Sequence, residues 1–307
     1  MQEYDLVVIG AGLGGLTAAL FGARFGLRTA VVEQLASGGQ ILNIERIDNF
    51  PGFPQGIAGY DLGPMVQEQA ENAGAEFISD TVTGLDLADD TRLVRCDSDT
   101  LVARTVIIAA GSSLRNLGIP GEQEFFGRGV SHCASCDAPL FANKDVCVVG
   151  GADSALDEAA VIAGHARRVL VVHRRSTFSA QPAIVNRLAE HPNIETMFDT
   201  ELVEISGSTS VDTVTLRTTS AGEQQRQPIA GVFVFVGLEP NTGFLHNVVD
   251  LDAAGHVIVD QQLQTSIPGI FAAGDLRQHS SRLLVSAAGD GATAAANAQR
   301  YLTRLRA

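Results

Sequence analysis

The residues best suited to chemistry are Cys133 and Cys136, which are separated by two residues, and Asp137, which directly follows the second thiol. Two thiols at this spacing can close a small disulfide ring, and each lowers the thiol pKa of the other. Asp137 is placed to carry the proton that thiol chemistry requires. The spacing therefore predicts a redox-active dithiol.

A structural zinc site is the alternative interpretation of a cysteine pair. The remaining thiols, Cys96 and Cys147, are far apart in the chain and form no second pair. A four-thiolate site would lack half of its ligands, so we predict no metal. Cys147 lies in an apolar strand pattern and is most simply a small buried hydrophobe.

The elements around the dithiol begin with a glycine-rich turn at the start of the chain. A short apolar strand pattern over residues 4–9 leads into the turn 10–15 (GAGLGG) and then into an alanine-rich helical pattern. In such a fingerprint Gly10 allows the tight turn, Gly12 lets the backbone approach a pyrophosphate, and Gly15 lets helix and strand pack closely. The pattern predicts a dinucleotide site.

A carboxylate follows this fingerprint at a suitable distance. The next strand pattern, residues 28–32, ends in Glu33, about 20 positions beyond the turn, where a carboxylate accepts hydrogen bonds from ribose hydroxyls. The chain then passes through segments 37–40 and 47–53, rich in glycine and proline. Segments rich in glycine and proline are typical of ordered binding loops and equally of plain connecting loops.

A second fingerprint begins directly after the dithiol. The strand pattern 145–149 leads into the turn 150–155 (GGADSA) and a helix over residues 156–166. Where the first fingerprint has its carboxylate, this one has His173, followed by Arg174 and Arg175. A carboxylate would repel the 2′-phosphate of NADP, whereas two guanidinium groups can grip it. The second site is therefore predicted to prefer NADPH to NADH.

The last segment contains a further candidate site. Two candidate linkers, residues 114–129 and 237–242, precede it, and a small-residue helix is predicted over residues 283–305. Between them a strand pattern ends in Gly274 and Asp275. The Asp275 carboxylate could hydrogen-bond a flavin ribityl chain, or it could equally cap the N-terminus of a helix.

Composition limits the class of protein. A chain of 307 residues with 45% hydrophobic and 18% charged residues is ordinary globular protein of about two domains. Its net charge of −14 argues against a nucleic-acid binder, which needs a basic face. The first five residues carry no basic region, and no apolar stretch approaches the roughly 18 residues that span a bilayer. We expect a cytoplasmic protein, since reducing cytosol suits a working dithiol.

The two fingerprints, the sequence CASCD at 133–137 between them, and the Gly-Asp pair near the end together resemble the low-molecular-weight thioredoxin reductases along essentially the whole chain. The resemblance implies a homodimeric α/β flavoprotein with two Rossmann-like three-layer domains. Residues 1–115 and 243–307 would form the FAD domain, and residues 116–242 an NADPH domain inserted in it.

The same resemblance implies roles for individual positions. It assigns the following residues to FAD: Gly10, Gly12, Gly15, Glu33, Gly39, Gln40, Asn49, Gly274, Asp275, Arg282 and Leu283. It assigns the following residues to NADPH: Gly150, Ser154, Ala155, Arg174 and Arg175. Hydride would pass from NADPH to the flavin and electrons onward through Cys136, after which the Cys133 thiolate would attack the disulfide of thioredoxin or a similar substrate. Asp137 would be the acid/base.

The chain departs from the family pattern at four places. Ala152 replaces a glycine of the NADPH fingerprint, and Ser179 replaces a third arginine near the 2′-phosphate. Leu283 replaces a glutamine beside the flavin. The segment 138–140 (APL) replaces Gly-Phe-Phe, which helps thioredoxin to dock.

Two alternative functions follow from these departures. A ferredoxin or another non-nicotinamide donor could reduce the flavin, and Ala152 and Ser179 support this reading. A flavin-binding redox sensor is the other alternative, although the sequence offers no effector domain.

Overall fold

The structure is a computed structural model that describes residues 2–44, 46–246 and 248–306. The chain forms two compact units, one of Met1–Ser113 and Glu239–Ala307, the other of Leu114–Leu238. The predicted divisions after residues 115 and 242 lie slightly C-terminal to these points. Assignment of the units to FAD and NADPH stays a prediction at this stage.

The first unit opens with seven strands and two helices. The strands are β1 (Glu3–Ile9), β2 (Thr29–Glu33), β3 (Glu76–Ser79), β4 (Val82–Ala88), β5 (Thr91–Cys96), β6 (Thr100–Ile108) and β7 (Ser112–Leu114). The helices are α1 (Leu13–Arg24) and α2 (Gly59–Asn72), with a 3-10 turn at Gly39–Asn43.

The second unit contains the next eight strands and three helices. The strands are β8 (Val130–Ser131), β9 (Asp145–Gly150), β10 (Arg168–Val172), β11 (Ile194–Met197), β12 (Thr200–Gly207), β13 (Val211–Thr218), β14 (Gln224–Pro228) and β15 (Gly231–Phe235). The helices are α3 (Ala134–Asp137), α4 (Asp153–Ala163) and α5 (Pro182–Leu188), with a 3-10 turn at Ala138–Phe141.

The chain then returns to the first unit. It forms β16 (Leu238–Pro240), a 3-10 turn at Gly243–Leu245, β17 (Ile270–Ala272) and α6 (Leu284–Arg306). Strands β7 and β16, which lie where the chain leaves and re-enters the first unit, pair with each other. The connections are therefore short paired strands and not open loops.

A parallel sheet organises the first unit. Its strands run β3-β2-β1-β6, β17 adds to β6 in parallel, and β5 and β4 continue from β6 as an antiparallel meander. Leu6 and Val8 of β1 pack with residues of α1 and α6, whereas Val7 and Ile9 face the meander side. Burial of both faces explains why this strand is a continuous apolar run.

The second unit repeats the plan. Its parallel sheet has the order β11-β10-β9-β15-β8, and a separate antiparallel sheet has the order β12-β13-β14. Helix α4 packs on one face with Leu156 and Ile162 buried against Val148 and Val171. The α/β fold class with two nucleotide-binding-type units is confirmed. No helix in the described part of the chain is long and apolar enough to cross a membrane.

Candidate active site

The redox pair lies at the start of a one-turn helix. Cys133 and Cys136 form a disulfide with their Cα atoms 5.4 Å apart, and Cys133 is the N-cap of α3. The Cys133 sulfur accepts a hydrogen bond from the Cys136 backbone N–H at 3.2 Å. Cys133 is half-buried and Cys136 is exposed. An N–H donor beside a sulfur favours its thiolate, so this geometry suits thiol–disulfide exchange.

Two residues that sequence reasoning did not single out hold this turn. The buried Ser131 hydroxyl accepts from the Cys133 N–H at 3.0 Å and donates to the Cys133 carbonyl at 3.2 Å. The Glu158 carboxylate, from α4, accepts from the Ala134 N–H at 3.0 Å. Glu158 lies 24 residues away in sequence, so no local pattern indicated it. Together these contacts fix the backbone on both sides of Cys133.

Asp137 directly follows the pair, as expected, and closes the turn. Its backbone N–H donates to the Cys133 carbonyl at 3.2 Å, and its side chain is partly exposed. A partly exposed carboxyl group can exchange protons with water. The geometry is compatible with the predicted acid/base role, which stays a prediction.

The first fingerprint brings three glycines to the C-terminal end of β1. Gly10 has φ +98°, and a Cβ there would lie 2.6 Å from the Ala109 carbonyl oxygen. A Cβ on Gly15 would lie 1.9 Å from the Gly10 carbonyl oxygen. Both positions therefore need glycine for backbone packing.

Gly12 differs from its neighbours because none of the described residues crowds its α-carbon. It is the N-cap of α1 at φ −66° and ψ 175°, and a Cβ there would meet no atom within 4 Å. Gly12 has no side chain to cap the helix with a hydrogen bond, and the space beside its α-carbon is open. An uncapped helix N-terminus of this kind is suited to a phosphate.

Glu33 stands beside this turn, at the end of β2. Its two carboxylate oxygens accept from the Ala11 N–H at 2.7 Å and the Leu35 N–H at 3.0 Å. Each oxygen keeps a further lone pair for a hydroxyl group. A cleft of about 230 Å³ lies against Glu33, and its lining includes Gly10, Asp80 and Asn241. This cleft lies where the strand order reverses between β1 and β6, which is where nucleotides bind in such sheets.

The predicted loop residues are divided between ordered and exposed positions. Gly39, at φ +60°, packs on the turn, and a Cβ there would lie 3.3 Å from the Gly12 Cα. Gln40 donates through Nε2 to the Ser112 carbonyl at 2.9 Å, which ties it to β7. Asn49 is exposed. The structure therefore brings Gly39 to the fingerprint, and it leaves Asn49 on the surface of its own loop.

The Gly274-Asp275 pair follows β17 directly. Gly274 has φ +82°, and the Asp275 carboxylate accepts from the Ser280 hydroxyl at 3.0 Å. Burial raises the pKa of Asp275 above its usual value. The alternative of a helix N-cap is wrong, because the next helix, α6, begins only at Leu284. A half-buried carboxylate that caps no helix is available for a ligand.

Arg282 and Leu283 lie just before α6. Arg282 has a left-handed φ of +55°, and its N–H donates to the Ser280 hydroxyl at 3.1 Å. Leu283 is 44% exposed. Ser280 therefore links Arg282 to Asp275, since its hydroxyl bonds to both.

The second fingerprint superficially repeats the first, with one difference at the helix start. Gly150 is at φ +155°, and a Cβ there would lie 2.4 Å from the Phe235 carbonyl oxygen. Ala152 is the N-cap of α4, as Gly12 is of α1, and it is exposed. Ala155 is buried under the turn, and Ser154 is exposed in the first turn of the helix. The start of α4 therefore carries an exposed methyl group at the position where α1 has only a glycine.

His173 occupies the place of the missing carboxylate, and it supports the turn. A Cβ on Gly151 would lie 2.2 Å from the His173 Nδ1. The ring contacts Phe178 and Phe198, and its Nε2 lies 3.1 Å from the Thr177 carbonyl oxygen. Burial lowers the pKa of His173 below its usual value. His173 is therefore a neutral packing residue, and the charge at this site comes from the two residues after it.

Arg174 and Arg175 are both exposed at the end of β10. Ser179, which stands where the family pattern has a third arginine, donates through its hydroxyl to the Gly151 carbonyl at 3.2 Å. Two exposed guanidinium groups, at the same edge of the sheet as the start of α4, can bind an anionic nucleotide.

Comparison with known proteins places these features in a family. A model of the family described as pyridine nucleotide-disulphide oxidoreductase matches residues 4–291. A thioredoxin reductase of Treponema pallidum is 40% identical over 303 residues, which cover 99% of this chain and 98% of the relative. A crystal structure of Lactococcus lactis thioredoxin reductase superimposes with a TM-score of 0.96 at 37% identity, covering 98% of this chain and 99% of that one. A second, from T. acidophilum, gives a TM-score of 0.93 at 31% identity, covering 99% and 100%.

Proposed function

Because the chain belongs to the pyridine nucleotide-disulphide oxidoreductase family, we propose that it is an FAD-dependent, NADPH-consuming thioredoxin reductase. The observation that carries this proposal is the Cys133–Cys136 disulfide, placed in sequence between two nucleotide fingerprints with an N–H donor on the Cys133 sulfur. A pyridine nucleotide enzyme that does not reduce disulfides would not require a turn with a cysteine pair at this spacing.

The first unit fits the ADP part of FAD. The uncapped start of α1 faces the open space beside Gly12, and Glu33 lines the adjacent cleft. The pyrophosphate would lie on the helix N–H groups, and the ribose hydroxyls would donate to Glu33. Asp275 would accept from the ribityl chain. Bound FAD supplies the two-electron chemistry that links a nicotinamide to a disulfide.

The dithiol performs the exchange with the substrate. The Cys133 thiolate attacks one sulfur of the substrate disulfide, a mixed disulfide forms, and the other substrate sulfur leaves as a thiolate. Cys136 then attacks Cys133 in the mixed disulfide, which restores the Cys133–Cys136 bond and releases the reduced substrate. The Cys136 N–H stabilises the attacking thiolate, and Asp137 gives a proton to the departing thiolate.

The second unit would bind NADPH. Arg174 and Arg175 would hold the 2′-phosphate, and the start of α4, with Ser154 and Ala155, would receive the pyrophosphate. Ala152 and Ser179 weaken this site relative to the family pattern. They favour a second candidate function, in which a non-nicotinamide donor reduces the same flavin and dithiol.

Thioredoxin is the proposed substrate, with a related disulfide as the alternative. The docking segment 138–140 differs from the family pattern, and its Leu140 is 68% exposed, which offers one aliphatic side chain in place of aromatic ones. A homodimer is the proposed working form, as the family resemblance implies. Reducing cytosol is the proposed compartment, because a dithiol that cycles between states suits it.

The test is NADPH oxidation coupled to reduction of a bacterial thioredoxin by the FAD-loaded protein. Wild type is expected to turn over, and both Cys133→Ser and Cys136→Ser are expected to lose turnover while they keep FAD. Cys96→Ser is the matched control, since burial and nearby carboxylates raise the pKa of Cys96 to about 11 and leave it a protonated bystander. Turnover that survives in either dithiol variant would contradict the proposal.

A further inference from the structure

An ion pair between a buried carboxylate and a partly buried guanidinium joins α6 to the turn after β17. Asp290, which is 9% exposed, accepts from the Arg277 guanidinium through Nε at 2.6 Å and Nη2 at 2.9 Å. The same Asp290 oxygen that binds Nε also accepts from the Gly274 backbone N–H at 3.0 Å. The Arg277 Nη1 donates to the Gln278 carbonyl at 3.1 Å. One carboxylate therefore holds both ends of the turn 274–277.

Other contacts also hold this turn, including backbone hydrogen bonds from the Arg277 N–H to the Gly274 carbonyl and from the Val257 N–H to the Leu276 carbonyl. The Ser112 hydroxyl donates to the Asp275 carbonyl at 3.3 Å. Gly274 is left-handed at φ +82°, and the nearest atom to a Cβ placed on it would be the Ala287 Cβ at 3.8 Å. Steric contact at the Gly274 α-carbon therefore contributes little to the orientation of this residue. Its N–H is held by the hydrogen bond to Asp290, and Asp275 is the next residue along the chain.

A buried ion pair contributes little net free energy to the stability of a fold. Desolvation of the two charges offsets much of their attraction, and an apolar pair of similar volume is often as stable. Such a pair gives fixed geometry instead, because a bidentate carboxylate–guanidinium contact has a defined direction. The pair also lies in the electrostatic surroundings of Asp275: beyond the effect of burial, Asp290 raises and Arg277 lowers the pKa of that carboxyl group.

We propose that Asp290 and Arg277 are positioning residues for the cofactor: they hold the turn 274–277 in the shape that presents Asp275 to the ribityl chain before FAD binds. This inference rests on the proposed function, in which Asp275 is an FAD ligand. Preorganisation of this kind strengthens binding, because the turn does not have to be ordered when the ligand arrives.

The experiment measures FAD binding to the full-length apoprotein by flavin fluorescence, together with the rate of FAD release from the holoprotein and the melting temperature of each apoprotein. Asp290→Ala removes both contacts and is expected to weaken FAD at least tenfold. Asp290→Asn keeps an oxygen for the Gly274 N–H and is expected to weaken FAD less. The double variant Asp290→Asn/Arg277→Gln, with two neutral partners, is expected to bind FAD more tightly than Asp290→Ala.

Arg92→Gln is the matched control. Arg92 is also buried, and it also joins α6 to the segment before β17, through the Tyr301 hydroxyl and the Pro268 carbonyl. It is expected to lower the melting temperature and to leave FAD affinity unchanged. Asp290→Ala with wild-type FAD affinity, or an Arg92→Gln that weakens FAD equally, would overturn the positioning role alone. A wild-type apoprotein that does not bind FAD would overturn the proposed function and this inference together.

Discussion

Replacement of Gly12 by alanine tests whether glycine is required at this position for ligand binding or for the stability of the fold. The backbone of Gly12, at φ −66° and ψ 175°, is ordinary for an L-residue, and an added Cβ would meet nothing within 4 Å. Alanine at a compatible glycine position stabilises a protein by about 0.4–1 kcal/mol, because it restricts the unfolded chain. The apoprotein of Gly12→Ala is therefore expected to unfold at the same temperature as wild type or slightly above it.

The effect on FAD has the opposite sign. If the pyrophosphate lies against Gly12, the new methyl group occupies the space of the ligand, and overpacking of a matched site costs about 1–3 kcal/mol. This cost corresponds to binding that is roughly 5- to 150-fold weaker. Titration of apoprotein with FAD, followed by flavin fluorescence, measures the change directly.

Gly15→Ala is the comparison that completes this experiment. Its Cβ would lie 1.9 Å from the Gly10 carbonyl oxygen, so helix α1 has to move away from the turn, and the apoprotein itself should lose stability. A Gly12→Ala protein that binds FAD as wild type does would refute the placement of the pyrophosphate. A Gly12→Ala apoprotein that is clearly destabilised would refute the reading of Gly12 as a ligand-contact glycine.

Three further predictions concern the remaining parts of the site. Ala152→Gly removes the methyl group at the N-cap of α4, so the KM for NADPH should fall several-fold with little change in thioredoxin KM; an unchanged NADPH KM would mean that the nucleotide does not approach this residue. Asp275→Asn removes a carboxyl group whose pKa burial raises above its usual value. The folded apoprotein holds that proton more tightly than the unfolded chain, so ionisation of Asp275 lowers stability as the pH rises above about 4. The variant apoprotein should accordingly be more stable than wild type at neutral pH, with a difference that shrinks in acid. Urea unfolding at several pH values measures this difference, and a difference that does not change with pH would contradict the prediction. Ser131→Ala loses two hydrogen bonds to Cys133, so turnover with thioredoxin should fall while FAD content and flavin reduction by NADPH stay unchanged; equal losses in both steps would assign Ser131 to general stability.

The nucleotide fingerprints were predictable because their information is local. A strand, a glycine turn and a helix are adjacent in sequence, so a short window of residues shows the whole pattern. Predicted helix limits were less accurate at α4, which begins at Asp153 and not at residue 156. Its first two residues, Asp153 and Ser154, are polar, so a helix prediction based on the apolar pattern began too late.

The supports of the site were not predictable, because they depend on distant packing. Glu158 reaches the redox turn from the next helix, and Asp290 reaches Gly274 from α6. Neither residue belongs to a motif. The Asp275 alternative shows the same limit: a Gly-Asp pair before a helical pattern is compatible with an N-cap, and only the position of Leu284 as the first residue of α6 excludes it.

Anaerobic stopped-flow reduction of the FAD-loaded protein tests the central claim most directly. The absorbance of the flavin is followed after mixing with NADPH or with NADH, and oxidised thioredoxin is then added. We predict fast bleaching by NADPH, much slower bleaching by NADH because Arg174 and Arg175 lack their phosphate partner, and recovery of absorbance with thioredoxin. Absence of useful bleaching by either nucleotide would contradict the NADPH assignment, and a ferredoxin-like donor would then be the better explanation.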